Sequence, residues 1–329
     1  MSKLKIVIDP GSSATKVAYQ VDDGSTQCFS MSPYCAAVPP DYPRSSSWGI
    51  GSTHIENAWV SHADSCYLLG AIAKKFQGSA IRNDELKHVK ALYKILGVLA
   101  HIQTTITREK RPIDLGILLP FDEYVTKDQL EEALMLAQDL VQYCGRSLSL
   151  EINEITICPE GAGLFLQGLP PKIDRQSARV AVLVIGHRNA SWLVTENGSP
   201  ALAESVTNNL GFRWLVQEVR QRTGHKDEIA LAEMIFSGEH LHADIQRAVQ
   251  VCLPLYWQQI QLFLDEQQPI DYAVCGGGAA ILLEDKIIAH LSGKVSWANH
   301  LSRAVLKSGL KDRVMARRLA DCYGLLQSL

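Results

Sequence analysis

The segment IDPGSSATKVAY, residues 8–19, combines residue types that bind phosphate groups in proteins. Asp9 ends an apolar run, a glycine and two serines follow, and Lys16 precedes a second apolar run. A glycine bend lets backbone N–H groups approach a phosphate closely because no Cβ blocks them. A lysine adds a point charge, and an aspartate at a strand end holds Mg²⁺ through water. The segment therefore predicts half of a phosphate site, with a plain β-hairpin and polar turn as the alternative.

A second segment repeats this pattern about half a chain length later. When Gly11 is aligned with Gly186, both glycines follow apolar strands and precede a short polar turn that leads into another apolar strand. A half-length internal duplication explains this similarity and predicts two similar domains that face each other. The second turn continues through His187, Arg188 and Asn189, whose backbone and positive charge suit a phosphate.

Three further positions carry groups that suit a nucleotide. Gly276–Gly278 follow an apolar strand and open a helix, which allows close backbone approach to an adenosine; a loose strand–helix connection is the alternative. Gly211 begins a predicted helix and is either a third contact or a simple N-terminal glycine. Glu160 follows the strand ITIC and would orient a water for attack on a γ-phosphate. A helix N-terminal acid favoured by the dipole is the alternative for Glu160.

The elements that position these residues alternate between strands and helices. Leu4–Asp9 and Ala14–Tyr19 read as paired strands, and Ile113–Pro120 as a buried one. Apolar residues spaced three and four apart predict a one-faced helix from Asp84 to about Ile106. The other predicted helices begin after a capping box of Thr126 with Gln129, run from Glu239 to about Gln267, and end the chain. A polar link, Leu169–Arg179, marks the predicted domain boundary.

Composition narrows the class of protein. The chain has 329 residues with 32 basic and 35 acidic side chains, a formal net charge of −3, which gives no general attraction to nucleic acid or anionic lipid. Its eight cysteines form no C-x-x-C pair, so we expect reduced thiols in a cytoplasmic protein. No apolar stretch approaches the roughly 18 residues of a membrane span, so no membrane insertion is expected.

Six short motifs, in this order along the chain, resemble those of the actin-like proteins of the ParM/StbA type. These proteins belong to the wider superfamily of actin, sugar kinases and heat-shock ATPases. The motifs are IDPGSSATKVAY, CYLLGAIA, GILLPFDEY, CPEGAG, AVCGGGAAIL and LADCYGLL. The resemblance implies an α/β, actin-like (ribonuclease H-like) fold of duplicated domains around a central nucleotide cleft. Domain I would span 1–168, with a small subdomain inserted at about 28–110 and a completing C-terminal helix at about 311–329. Domain II would span 179–310.

The resemblance also implies ATP (or GTP) with Mg²⁺ as the cofactors. Asp9 would hold the Mg²⁺ through water, and Glu160 would position the attacking water. The first turn would bind the β- and γ-phosphates, the second turn would add to this phosphate site, Gly211 would lie near the ribose, and the triple glycine near the adenosine. The residues implied to contact the nucleotide are Gly11, Ser12, Ser13, Thr15, Lys16, Gly186, His187, Arg188, Asn189, Gly211, Gly276, Gly277 and Gly278.

The second turn departs from the family pattern, which runs Asp-x-Gly-x-x-Thr-Thr-Asp. Anchored on Gly186, this chain has Val184 for the first aspartate, Asn189 and Ala190 for the threonines, and Ser191 for the last aspartate. The carboxylate that would organise Mg²⁺ opposite Asp9 is therefore missing. Removing such an electrostatic group costs on the order of 10² to 10³ in rate. We expect ATP binding to persist and ATP hydrolysis to be slow or absent, and the alternative is a diverged site that no longer binds nucleotide.

The resemblance implies head-to-tail polymerisation into cytoskeletal filaments. In this family filaments usually segregate plasmids or other DNA through a small DNA-binding adaptor, with no direct contact to nucleic acid. The loop Ala37–Ser52 would fall in the subdomain where filament contacts often lie. Two alternatives stay open: a scaffold for cell shape or organelle placement with nucleotide as a conformational ligand, and a small-molecule (sugar) kinase of the same fold. A basic cluster near the C-terminus is interpreted as a solvated helix face, with contact to a partner or a filament neighbour as the alternative. It comprises Lys307, Lys311, Arg313, Arg317 and Arg318.

Overall fold

The chain divides into two compact units in a computed structural model that describes residues 3–42, 54–76, 87–238 and 241–329, with the side chains of 87–89 not described. One unit comprises Met1–Gln167 and Leu301–Leu329, and the other comprises Gly168–His300. Most of the predicted loop Ala37–Ser52 lies outside the described residues.

The first unit contains a five-stranded mixed sheet of order β10-β7-β1-β2-β3. Its strands are β1 (Leu4–Pro10), β2 (Thr15–Val21), β3 (Gln27–Met31), β7 (Pro112–Leu119) and β10 (Glu151–Pro159). β1 runs parallel to β7 and β7 parallel to β10, whereas β1 and β2 form an antiparallel hairpin. β1 and β7 are buried along most of their length, which is typical of strands in a sheet whose two faces are both covered. The three parallel strands therefore bring their carboxyl ends to one edge.

A second sheet in this unit is fully antiparallel, with order β4-β6-β5-β8-β9. Its strands are β4 (Cys35–Val38), β5 (Ala58–His62), β6 (Ser65–Leu69), β8 (Val141–Tyr143) and β9 (Arg146–Leu148). The described α-helices of the unit are α1 (Ala71–Lys74), α2 (Lys87–His101), α3 (Lys127–Ala137), α4 (Ala162–Gly168), α9 (Asn299–Lys307, which begins at the unit boundary) and α10 (Arg313–Leu326). A core cluster joins the two sheets through the buried face of α2.

The second unit contains a six-stranded sheet of order β13-β12-β11-β15-β16, with β14 also paired to β12. Its strands are β11 (Val180–Ile185), β12 (Ala190–Glu196), β13 (Ser199–Pro200), β14 (Val206–Asn208), β15 (Tyr272–Gly276) and β16 (Val295–Ser296). The α-helices are α5 (Phe212–Thr223), α6 (Glu228–Ser237), α7 (Ala243–Asp265) and α8 (Glu284–His290). β11 and β12 form a hairpin and β11 runs parallel to β15, which repeats the relation of β1 to β2 and β7.

Three details of the predicted elements differ in the structure. The helix expected from Asp84 is α-helical over Lys87–His101 and continues as a π-helical segment over Ile102–Thr107; its predicted start lies outside the described residues. The capping box of Thr126 with Gln129 does not form, because the Thr126 hydroxyl donates to the carbonyl of Glu123, one turn back.

The helix predicted from Glu239 is α7, which begins at Ala243, and a separate helix, α6, precedes it. Glu239 itself lies outside the described residues. Across the ranges that the structure describes, no helix is both long and apolar enough to cross a membrane.

Candidate phosphate-binding loops

The carboxyl edge of the β1–β7–β10 sheet brings together the two predicted catalytic acids. Asp9 lies at the end of β1 and Glu160 directly after β10, with β7 between them. Two strand spacings place these backbones roughly 10 Å apart. The Glu160 N–H donates to the carbonyl of Leu119 at 2.7 Å, which anchors the acid to the end of β7. Sequence spacing alone did not establish this juxtaposition; the parallel pairing of the strands produces it.

The first loop comprises the tight turn 10–14 together with the strand residues that flank it, Asp9, Thr15 and Lys16. Asp9 and Lys16 are opposite each other in the β1–β2 register, and the Lys16 ammonium forms an ion pair with the Asp9 carboxylate. Asp9 is only 3% exposed, so this pairing compensates a buried negative charge. A Cβ at Gly11 would lie 2.6 Å from the carbonyl oxygen of Ala14, so the turn itself requires glycine.

The hydroxyl groups of the first loop differ in their surroundings. Ser13 is exposed and Ser12 is partly buried. The Thr15 hydroxyl is fully buried and has no hydrogen-bond partner among the residues that the structure describes. A buried hydroxyl without a partner is costly in a folded protein unless a ligand or water satisfies it. Thr15 therefore fits a loop that receives a polar ligand.

Two cations outside the predicted set of nucleotide contacts also contact this loop. The Lys94 ammonium, on α2 and 6% exposed, donates to the carbonyls of Pro10 and Gly11, each at 3.3 Å. The Arg318 guanidinium, on α10, donates to the Ser13 hydroxyl at 2.7 Å. The interpretation of Arg318 as part of a solvated helix face is therefore wrong. The sequence pattern could have indicated that Lys94 is buried, because it lies on the same helical face as the buried residues Ala91 and Val98.

Asp321 is a third acid at the same edge, and it too comes from α10. Its carboxylate accepts hydrogen bonds from the N–H groups of Gly161 at 2.6 Å and Leu164 at 3.1 Å, at the start of α4. Burial raises the pKa of Asp321 to about 6, opposed by these two hydrogen bonds and reinforced by the charges of Asp9 and Glu160. Asp321 therefore ties the last helix of the chain to the loop that carries Glu160.

In the second unit, the turn around Gly186 forms backbone hydrogen bonds within itself and with the residues at the start of α5. The Gly186 N–H donates to the Asn189 carbonyl at 2.8 Å. The carbonyls of Gly186, His187 and Arg188 accept hydrogen bonds from the N–H groups of Phe212, Arg213 and Gly211 respectively, at 3.0, 2.8 and 2.9 Å. Gly211 caps α5 and leaves no room for a Cβ, which would lie 2.3 Å from the backbone of Arg188. The close backbone packing alone therefore explains why residue 211 is a glycine, without any contact to a ligand.

The triple glycine lies beside this turn, because β11 and β15 are parallel neighbours and Val184 pairs with Gly276. Gly277 has φ +89°, and a Cβ there would lie 2.3 Å from the carbonyl oxygen of Ile185. Gly278 precedes a 3₁₀ turn, Ala279–Leu283, rather than a regular α-helix. The second unit therefore brings Gly186 and Gly276–Gly278 to one sheet edge.

The departure of the second turn from the family pattern has a simple structural form. Val184 and Ser191 occupy the two aspartate positions, and the β11–β12 register sets them directly opposite each other. Val184 is buried, and the Ser191 hydroxyl shares a hydrogen bond of 2.8 Å with the Thr207 hydroxyl. This hairpin therefore presents an apolar side chain and a bonded hydroxyl where the pattern has two acids.

The oxygen ligands at the first loop fit a Mg²⁺ ion that binds together with nucleotide phosphates better than a metal ion held by the protein alone. Mg²⁺ in phosphate sites is held by one or two carboxylates, waters and the substrate phosphates. Asp9 supplies one such carboxylate, with Lys16 as its present partner. Within the described ranges, no group of three or more His, Cys, Asp or Glu side chains has an arrangement that would hold a metal. Asp9 would therefore be the protein's contribution to a nucleotide-bound Mg²⁺.

Comparison with solved structures identifies the fold. No protein-family model matches the sequence, and no curated protein matches it. An archaeal actin homologue superposes with a TM-score of 0.67 at 16% identity, over 100% of this chain and 98% of that one. ParM from Bacillus thuringiensis, solved with ATP, gives 0.67 at 14% identity, over 100% and 98%. ParM from a 15-stranded filament of Clostridium botulinum gives 0.64 at 14% identity, over the full length of both chains.

These similarities extend over the whole chain, and the strand order of the two hairpin-containing sheets agrees with the predicted duplication. The α/β fold class predicted from six short motifs is confirmed. The chain has the ParM-like, actin-like fold.

Proposed function

We propose that this chain binds ATP and polymerises into cytoskeletal filaments, with slow or absent ATP hydrolysis. The observation that carries the proposal is the first loop, where Gly11–Lys16 follows a buried strand and cations contact the turn. Glycine turns with basic side chains at the end of a strand bind phosphate groups. The similarity in fold to a ParM solved with ATP, and to one solved as a filament, supports the same assignment.

The residues of each unit have distinct parts in this proposal. Ser12, Ser13 and Lys16 bind phosphate oxygens, Asp9 holds the Mg²⁺ water shell, and Glu160 orients the attacking water. The glycines of the second unit, 186, 211 and 276–278, accommodate the rest of the nucleotide. Because Val184 and Ser191 supply no carboxylate, the metal has a protein acid from the first loop alone, and hydrolysis is slow.

The binding test combines a fluorescent-ATP titration with a phosphate-release assay in the presence of Mg²⁺. We expect saturable binding and a release rate near the buffer blank. The Lys16→Ala variant should weaken binding by on the order of ten-fold or more, since a charge-assisted contact to phosphate is lost. Rapid phosphate release by the wild type would show that the second turn is misaligned, and an absence of binding would refute the proposal.

The filament test is sedimentation with negative-stain microscopy, with and without ATP and Mg²⁺. We expect ATP-dependent pelleting of filaments. In the cell, we propose that filaments act in the cytoplasm in plasmid or DNA partition, through a small DNA-binding adaptor, because a chain of net charge −3 has little general attraction to DNA. Direct DNA binding by the purified chain at physiological salt would contradict the need for an adaptor.

A scaffold function, with nucleotide as a conformational ligand only, is favoured by one observation: the register pairs Val184 with Ser191 where the catalytic pattern has acids. The two functions differ in the fate of ATP. A filament that forms with ATP and never releases phosphate supports the scaffold, whereas slow release that tracks disassembly supports partition.

A further inference from the structure

Three cations reach the first loop from three different elements. Lys16 comes from β2, Lys94 from α2 and Arg318 from α10. The family resemblance accounted for Lys16 alone. The other two are separated from the loop by 83 residues or more in sequence and meet it only in the folded chain.

Lys94 acts on the backbone of the loop. Its ammonium donates to the carbonyls of Pro10 and Gly11, at 3.3 Å each. In a planar trans peptide, a carbonyl and the following N–H point in opposite directions. The N–H groups of Gly11 and Ser12 therefore point away from Lys94. The buried ammonium thus fixes the orientation of two successive peptides and adds positive potential beneath them.

Arg318 acts at the mouth of the loop. Among the residues that the structure describes, its guanidinium donates a hydrogen bond of 2.7 Å to the hydroxyl of the exposed Ser13. A guanidinium has five N–H donors in all. The carboxylates that interact with its charge are those of Asp9 and Asp312. Each has another partner, because Asp9 is ion-paired with Lys16 and Asp312 accepts the N–H groups of Val314 and Met315. A partly buried arginine beside an exposed serine on a glycine turn is suited to a planar, multiply charged anion.

We infer that Arg318 binds a phosphate group of the nucleotide beside Ser13, and that Lys94 is a positioning residue that holds the loop open to that phosphate. The inference rests on the proposed function for the identity of the ligand, a nucleoside polyphosphate. The C-terminal helix α10 is then part of the phosphate site, in addition to completing the first unit.

The test compares the affinities of wild type, Arg318→Ala and Arg318→Lys for ATP, inorganic tripolyphosphate and adenosine, by calorimetry. Arg313→Ala, an exposed arginine on the same helix, is the matched control. Arg318→Ala should weaken ATP and tripolyphosphate on the order of ten- to hundred-fold, the range for hydrogen bonds to charged groups, and leave adenosine unchanged. Arg318→Lys should fall between, and Arg313→Ala should match the wild type.

The outcomes separate the inference from the proposed function. Tripolyphosphate binding without ATP binding would refute the proposed ligand but support the phosphate site if Arg318→Ala weakens it. Equal affinities of wild type and Arg318→Ala for both phosphate ligands would overturn the inference while leaving ATP binding intact. A wild type that binds neither ligand overturns both.

Lys94 is tested by Lys94→Met and Lys94→Arg, with urea unfolding to measure stability. A residue that merely fills the core would alter the unfolding midpoint without discriminating between ligands. We expect Lys94→Met to weaken tripolyphosphate on the order of ten-fold relative to adenosine, and Lys94→Arg to restore most of that loss. If Lys94→Met does not fold, the Arg318 series still decides the inference.

Discussion

At the scale of single residues, the raised pKa of Asp321 on α10 predicts that the stability of the fold depends on pH. Burial raises the pKa of Asp321 to about 6, whereas an aspartate in an unfolded chain titrates near 3.9. Between these values the folded state retains a proton that the unfolded state has lost. The stability that protonated Asp321 contributes is therefore complete below about pH 4 and is lost as the pH rises through 6.

We expect Asp321→Asn to remove this pH dependence. From pH 4 to pH 7 the wild type should lose about 1 to 3 kcal/mol that the variant does not lose, as a shift of about two pKa units implies. The measurement is the urea midpoint across this range for both proteins; the other acids titrate in both and cancel in the difference. Parallel curves would show that the Asp321 carboxyl is not desolvated.

The residue scale also shows which glycines the backbone requires. A Cβ at Gly11, Gly211 or Gly277 would meet backbone atoms within 2.6 Å, so these positions are glycine for the fold whatever they bind. At Gly186 the nearest atom would be the Asn189 carbonyl oxygen at 3.6 Å, an ordinary contact. A glycine here is not demanded by its protein neighbours, which is compatible with a ligand approaching on that side.

At the scale of elements, the crossing of α4 and α10 positions Asp321 next to the segment that carries Glu160. Gly163 and Gly324 meet at this crossing, and a Cβ at Gly163 would lie 2.0 Å from the carbonyl oxygen of Asp321. Two small residues let the helix backbones approach closely enough for Asp321 to cap α4. α10 is itself started by Asp312, whose carboxylate accepts from the N–H groups of Val314 and Met315.

We expect Gly163→Ala to destabilise the protein by about 2 kcal/mol, since overpacking typically costs 1–3 kcal/mol and the clashing atoms are backbone. Gly186→Ala is the matched control and should change the free energy of unfolding by less than about 0.5 kcal/mol. Urea unfolding at neutral pH measures both. Similar stabilities for the two variants would mean that α4 and α10 separate at little cost.

At the scale of the whole molecule, two units present glycine turns at the carboxyl edges of corresponding sheets. The duplication is retained in the pairing of β1 with β2 and β7, and of β11 with β12 and β15. The chemistry has diverged, because acids remain at the first edge and the second turn has Val184 and Ser191 in their place. Nucleotide binding and hydrolysis are therefore expected to separate in this chain.

We expect filaments formed with ATP to persist as long as filaments formed with a non-hydrolysable analogue. The reason is the missing carboxylate of the second turn, which we propose slows the hydrolysis that would otherwise limit filament lifetime. The measurement is the pelleted fraction over time after dilution below the assembly threshold. Faster loss of ATP filaments than of analogue filaments, accompanied by phosphate release, would contradict this expectation.

The amino-acid sequence by itself determined the alternation of strands and helices, the two glycine turns and the altered second motif. These features are local: an apolar run predicts a buried strand, and a glycine bend predicts a turn, from neighbours within a few residues. Even so, the Thr126 capping box was predicted wrongly, and the end of the helix predicted to about Ile106 is π-helical from Ile102, because tertiary packing outweighs such weak local preferences.

Only the tertiary structure decided which charges meet the first loop. Lys94 and Gly11 are separated by 83 positions, and Arg318 and Ser13 by 305, so no local pattern links them. The parallel strands set Asp9 beside the end of β7, and the crossing of two helices brings Asp321 to the start of α4. Periodicity indicates which face of a helix is buried but not what that face contacts. For that reason the contacts of Lys94, Arg318 and Asp321 could be identified only in the folded chain.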